Sequence, residues 1–483
     1  MLDFAKEYPK QNSVLDVYLK NASIGIVVLE CNNVVTGVQI CEYLHTCYSL
    51  QMIDYNKLRH GIVDFLREIR NNYSKDERNF CIYNIPTNSD TVDVVKSLNI
   101  SRELLKNAQR LVFVMPTLLV RQIQRYEPNL NDYIGLYLDY NRHSEEMPFL
   151  PVFDVPFKKQ FTKPEQDSLK KEKIRLAPNP TLEQYFRYLD QFNQRKLSKY
   201  EYAKTLVPAF AQKWEEASSR KWASEDDRIQ AELDLLYCTA TILAIQQYYN
   251  ESDALFCKML SVCLKKYKYK QGIHLMRALE GVVYCNYNVK EYDSAKERIL
   301  LIIDILENDE NPVEAWICRL NSNYAACYIR EKNYTKAIEL LENCYQRLKD
   351  NNLLNLEREI RINTNRMICY IAEGKSADLY ADEWRKTRED IEKNLGKDNV
   401  YYANNLLIDA WYVGVLMGDN ITALEEALEA LEINKRLLGE NVYGLATNYR
   451  VLQALYEQLG DENNAIQTKR KCESILQNQR NNN

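Results

Sequence analysis

Histidine is scarce in this 483-residue sequence. The four present (His45, His60, His143 and His274) are widely spaced. With no HExxH element and no His/Cys cluster of ligand spacing, the usual zinc chemistries are excluded, and no metal site is expected. A GxSxG nucleophile elbow is also missing. Cys41 and His45 lie four apart on an expected helix, which suits packing better than a nucleophile pair, because no third member or oxyanion donor is evident. No catalytic residues are therefore assigned. Thirteen cysteines are present without a single CxxC pair, which points to buried free thiols in a reducing cytosol. The longest strongly apolar run, LVFVMPTLLV, has ten residues including a proline. A membrane span needs about 20. The first residues, MLDFAKEYPKQNSVLD, are polar and charged, so a secretory signal is not expected and a cytoplasmic location is. Sixty-three basic residues face 68 acidic ones, for a net charge of −5. That balance gives no electrostatic case for nucleic acid or an anionic membrane.

What the sequence does have is a repeat. Ala254, Ala295, Ala337, Ala377, Ala423 and Ala465 follow turn-like polar clusters at gaps of 41, 42, 40, 46 and 42 residues. A period of this length predicts a stack of helical hairpins, each burying its apolar face against its neighbours. In the copy SNYAACYIREKNYTKAIELLENCYQRL, Ala325 is small where two helices approach. Tyr328 shares its face, and EKNY closes the turn. Ala337 opens the second helix, with Leu341 and Cys344 continuing its inner face. Thirty-five tyrosines supply amphipathic contacts for packed hairpins and binding faces alike.

These residues, with Tyr456, Gly460 and Ala465 in the last copy, resemble the tetratricopeptide repeat. The longer spacing, and the paired segments NLGKDN and LLGENV, resemble the extended repeats of kinesin-light-chain type. The resemblance covers roughly residues 230–476 and implies an all-α solenoid that binds a protein or peptide.

The chain changes character earlier. Six of its twelve prolines fall in 141–180, interleaved with basic clusters, and this stretch reads as a linker. Residues 181–229 read as a helical lead-in, and 477–483 as a polar tail. Residues 1–140 alternate apolar runs (SIGIVVLE, NFCIYNI, RLVFVM) with helical periodicity (VQICEYLHTCYSL, KLRHGIVDFLREIRN). That order predicts an α/β domain with a parallel sheet. SIGIVVLE runs into Asn32-Asn33-Val34-Val35-Thr36-Gly37-Val38-Gln39, the position and length of a phosphate-binding GxxxxGK[ST] loop. Only Gly37 is kept. Val38 replaces the phosphate-reaching lysine, Gln39 replaces the metal-holding hydroxyl, and Asn84 stands where a carboxylate is expected after NFCIYNI. Two readings remain open: a degenerate nucleotide loop with Asn32, Thr36 and Gly37 as its remnant, or an ordinary turn with a chance glycine.

Residues 97–140 resemble a segment of bacterial proteins that join a STAND-type P-loop NTPase domain to tetratricopeptide repeats. The matching residues are Asn99, Arg102, the strand ending at Pro116, Arg125, Pro128 and the strand YIGLYLDY. The resemblance implies a degenerate, non-hydrolysing member kept for docking or switching. Its role would be scaffolding or sensing in bacterial defence or signalling. ATP is the one cofactor to test. The alternatives are an ATP-binding switch and a receptor for signalling peptides, and a homo- or hetero-oligomer is compatible with either. In the repeats, counting back from the signature alanines places Arg277 and Arg319 at equivalent positions of first helices, with Asn323, Asn365, Arg366 and Arg450 nearby or on later copies. Arginine and asparagine there suit a peptide backbone or an acidic terminus. These six are the expected partner-binding residues.

Overall fold

The computed structural model describes residues 7–21, 25–58, 60–87, 91–141, 147–153, 215, 219, 221–245, 247–267, 272–308, 314–373, 377–440 and 444–481. Most of the expected linker 141–180 and lead-in 181–229 lies outside them. The described chain forms two compact units. One comprises residues 1–149 with 388–482, and the other residues 150–387. This is not the division that proline content suggests, because the last two helical hairpins group with the α/β domain.

The α/β domain is built on five parallel strands: β1 (Gly25–Glu30), β2 (Gln51–Asp54), β3 (Asn79–Tyr83), β4 (Arg110–Met115) and β5 (Leu136–Asp139). Their order is β2-β3-β4-β1-β5. The helices are α1 (Pro9–Asn21), α2 (Val34–Tyr48), α3 (Gly61–Asn72), α4 (Thr91–Ile100), α5 (Thr117–Tyr126) and the single turn α6 (Pro128–Asn131). The strands read as unbroken apolar runs because both faces are covered. Ile26, Val28, Phe80, Ile82, Leu111 and Phe113 point to one side, where they meet Ile62, Leu66 and Ile69 of α3 and Leu119 and Ile123 of α5. Val27, Leu29, Cys81, Val112 and Val114 point to the other and meet Leu15 and Leu19 of α1 and Ile40, Cys41 and Leu44 of α2. Truncating one such buried Leu or Ile to Ala costs about 2–5 kcal/mol. Strand β2 and helix α1 were not anticipated: Gln51–Asp54 is a four-residue strand directly behind α2, too short to show a period of its own.

The helical region runs as hairpins. They are α7–α8 (Glu225–Ile245, Tyr249–Tyr267), α9–α10 (Gly272–Asn288, Tyr292–Glu307), α11–α12 (Glu314–Arg330, Tyr334–Asp350) and α13–α14 (Leu356–Glu373, Ala377–Leu395). Then come α15–α16 (Val400–Ala410 continued by a π-turn at Trp411–Leu416, then Asn420–Leu438) and α17–α18 (Leu445–Leu459, Glu462–Asn481). The unit boundary falls within α14. The repeat expected from the sequence is present, with a correction to its register. Ala295, Ala337, Ala423 and Ala465 are the fourth residues of their helices, and each donates its amide to the residue just before that helix. Ser252 makes the same bond in α8, and Tyr380 is the fourth residue of α14. Positions 252, 295, 337, 380, 423 and 465 are 42 or 43 apart throughout, whereas Ala254 and Ala377 sit off this register.

Five hairpin turns close alike. Gln247, Lys290, Lys332, Gly418 and Gly460 adopt positive φ, and in each the next amide reaches back to a carbonyl of the first helix. This left-handed C-cap satisfies carbonyls that the helix end leaves without partners. All thirteen cysteines are free, and only Cys47 and Cys238 are exposed. Among the described residues no helix is long and apolar enough to cross a membrane, and no group of His, Cys, Asp and Glu could hold a metal ion.

Candidate functional site

In open parallel sheets, ligands bind beyond the carboxyl ends of the strands, where strand order reverses. Here that place is the end of β1, flanked by β4 and β5. Only Cys31, Asn32 and Asn33 separate β1 from α2. Asn33 caps the helix, its side chain accepting from the Thr36 amide at 2.8 Å. Gly37 lies inside the first turns, its amide bonded to the Asn33 carbonyl at 2.9 Å. A Cβ there would meet Val114 at an ordinary 3.5 Å, so nothing in the packing demands glycine. The Cys31 amide donates to Met115 at 2.8 Å, and that of Asn32 to the Asn141 side chain at 2.7 Å. A phosphate cradle needs an open loop of unengaged amides at a helix N-terminus. Here the four amides of Cys31, Asn32, Thr36 and Gly37 are committed within the chain. Burial pushes the Cys31 thiol up to about 12, so no thiolate stands at this rim.

The rim is occupied by the fifth hairpin of the same unit. Asn32 is buried and acts as a hub. Its side-chain oxygen accepts from the Thr117 amide at 2.9 Å, and its side-chain nitrogen donates to the carbonyls of Val415 (3.3 Å) and Leu416 (3.0 Å). Its own carbonyl accepts from the Asn420 side chain at 3.1 Å. The Leu118 amide donates to the Met417 carbonyl at 2.7 Å, Thr87 to Asp419 at 3.0 Å, and Asn33 to the Glu457 carbonyl at 3.0 Å. Carbonyls 415–417 close the first helix of that hairpin, the end that carries partial negative charge. The position where an anion would be expected therefore faces carbonyl oxygens. Turn shape alone does not explain Gly418 and Gly460, since Gln and Lys hold the equivalent turns elsewhere. Close approach does. A Cβ on Gly418 would lie 2.4 Å from Asn32 Oδ1 and 2.7 Å from Pro116 Cβ, and one on Gly460 would lie 2.8 Å from Val35. Nearby, Asn84 ends β3 with φ 58° and donates to Asp54 at 3.3 Å.

In the unit of residues 150–387, five of the six expected groove residues separate by role. The Arg277 guanidinium lies 4.9 Å above the Tyr237 ring. Arg319 pairs with buried Glu280, which also accepts from the Trp316 indole. Arg366 bonds Glu383 at 3.0 Å and lies 4.4 Å over the Tyr380 ring, so it braces its own hairpin. Asn323 and Asn365 are buried at equivalent positions of α11 and α13. The Asn365 side chain holds main chain: its Oδ1 accepts from the Val152 amide at 2.7 Å and its Nδ2 donates to the Val152 carbonyl at 2.9 Å. The neighbouring Phe153 ring stacks on Tyr287 at 4.2 Å and leans on Tyr284 at 5.9 Å. Burial raises the phenol pKa of both tyrosines above the ordinary value, which keeps this face neutral. Arg450 belongs to the other unit and is exposed on α17. Sequence reading missed Val152, Phe153 and the two tyrosines. The one available signal was an asparagine repeated at 42 residues on first helices.

No protein-family model matches the chain, and no curated protein sequence matches it. Solved structures are similar at low identity. One is BtubC (BKLC) from P. vanneervenii, at 16% identity and a TM-score of 0.39, over 47% of this chain and 91% of that one. The apo form of RapI matches at 14% identity and a TM-score of 0.43, over 62% and 98%. A Signal Transduction ATPase with Numerous Domains (STAND) protein with a tetratricopeptide repeat sensor, from Pyrococcus horikoshii, matches at 14% and 0.32, over 96% and 82%. By its own elements the chain has a parallel α/β domain and a run of helical hairpins.

Proposed function

We propose that this chain is a protein-interaction scaffold or sensor whose repeats bind a partner protein or peptide, and whose α/β domain docks structure rather than turning over nucleotide. The setting we infer, from the sequence's resemblance to bacterial STAND-type proteins, is defence or signalling in the cytoplasm. The observation that carries the reading is the commitment of the β1–α2 connection to residues 415–420. The amides of Cys31, Asn32, Thr36 and Gly37 are engaged, carbonyl oxygens face the rim, and Val38 and Gln39 stand where lysine and a hydroxyl would act. Phosphoryl transfer relies on positioned cations and amide donors, and Val38 supplies no cation where the loop lysine would stand.

The purified full chain with magnesium and ATP is expected to release phosphate no faster than a buffer blank. Calorimetric titration with ATP should give no saturable heat. Turnover that disappears in Asn32→Asp would overturn the docking reading and favour an ATP-driven switch.

A further inference from the structure

We propose that Leu150–Phe153 is a built-in occupant of a peptide site on the repeats, and that the partner it stands in for is an extended peptide with an aromatic residue directly after the clamped one. The inference rests on the reading of the repeats as the binding element, and names the chemistry of what they bind.

Three observations within residues 150–387 carry it. The Asn365 carboxamide grips both main-chain groups of Val152 and no part of its side chain. Such a clamp accepts any extended residue with a free N–H, which is how a site recognises peptide rather than one sequence. Phe153 then supplies the side-chain anchor, stacked on Tyr287 beside Tyr284. Finally, Asn365 is 0% exposed. With the segment in place, the occupant itself closes this carboxamide off from water and supplies its partners.

Pro151 prepares the inner occupant. Proline fixes its own φ and biases the residue before it toward extended backbone, which lowers the ordering cost of a strand-like segment. Tethering supplies an effective concentration of about millimolar for a short connection. An outside peptide competes against that, and its apparent affinity falls by the fraction of chains whose site is open.

The test uses the full chain and a fluorescent peptide, FLPVFDV, read by anisotropy. Val152→Pro with Phe153→Ala removes the clamped amide and the anchor ring from the inner occupant. This variant is expected to bind the peptide about tenfold tighter than the natural chain, or more. The same peptide carrying N-methylvaline at its fourth residue (that of Val152) should lose binding to both proteins, a control that needs no protein substitution. An array of varied seven-residue peptides, probed with both proteins, separates the two levels of inference. Peptides bound equally by both would leave the repeats as a peptide receptor but overturn self-occupancy by 150–153. Absence of binding to either protein, with both folded by circular dichroism, would overturn the receptor reading as well.

Discussion

Gly418→Lys is expected to destabilise the unit of residues 1–149 and 388–482 by about 3 kcal/mol, although lysine holds the same turn position at 290 and 332. Backbone strain is the smaller part of this. The φ of 85° at Gly418 exceeds the 62–67° of Lys332 and Lys290, and a left-handed non-glycine residue costs about 1–2 kcal/mol. The larger part is contact. The added Cβ would lie 2.4 Å from Asn32 Oδ1 and 2.7 Å from Pro116 Cβ. Neither neighbour can yield, because Asn32 is held by the Thr117 amide and two carbonyls, and Pro116 is a ring in the chain directly before α5. Relief requires lifting the fifth hairpin from the sheet. That sacrifices the bonds from Asn32 to Val415 and Leu416 and from Leu118 to Met417, each worth about 1 kcal/mol. Lys332→Gly, at an exposed turn position, should change stability by no more than about 1 kcal/mol. Urea unfolding measures both, and hydrogen exchange at the Leu118 amide reports the rim directly. A Gly418→Lys protein that unfolds like the natural chain, with Leu118 still protected, would mean that the sheet rim and the fifth hairpin do not hold each other.

The two glycines also show where sequence reading succeeds and where it stops. Strands with both faces buried advertise themselves as apolar runs, and β1, β3 and β4 were read that way. The hairpin period was equally open, since a small residue stands where the second helix crosses its neighbour in five of the six copies. Its register was less so: Ser252 and Tyr380 fill the position that alanine fills elsewhere, and Ala254 and Ala377 drew the count aside. Gly37 invited a phosphate-loop reading because a strand, a glycine and a helix follow one another there. The local evidence against it was Asn33, whose side chain is spaced to cap the Thr36 amide and start the helix before the glycine is reached. The remaining evidence is not local at all. Asn32 finds Val415 and Leu416 more than 380 residues later, and no periodicity encodes such a meeting. The same limit applies to Val152 and Asn365, 213 residues apart.

Arg319→Glu is expected to destabilise the unit of residues 150–387 by about 3–5 kcal/mol, while Arg450→Glu should stay within about 0.5 kcal/mol. In sequence the two arginines look alike, both on first helices of the repeat. Their surroundings differ. Glu280 is buried, with its side chain 6% exposed, and Arg319 is the cation paired with it. Reversing that charge sets a second carboxylate against the first in a region of low polarisability, where desolvation is already costly. Arg450 is exposed, and water screens what its reversal changes. Any loss of partner capture in Arg319→Glu therefore has to be separated from loss of fold. The pair Arg319→Met with Glu280→Gln does so, since it removes both charges and leaves groups of similar size. The double variant is expected to recover most of the stability lost by Arg319→Glu, as removal of both members of a buried pair costs far less than loss of one. Chemical denaturation of the four proteins supplies the comparison. Equal stability of Arg319→Glu and the natural chain would place Arg319 among the freely solvated residues and return it to the list of partner contacts.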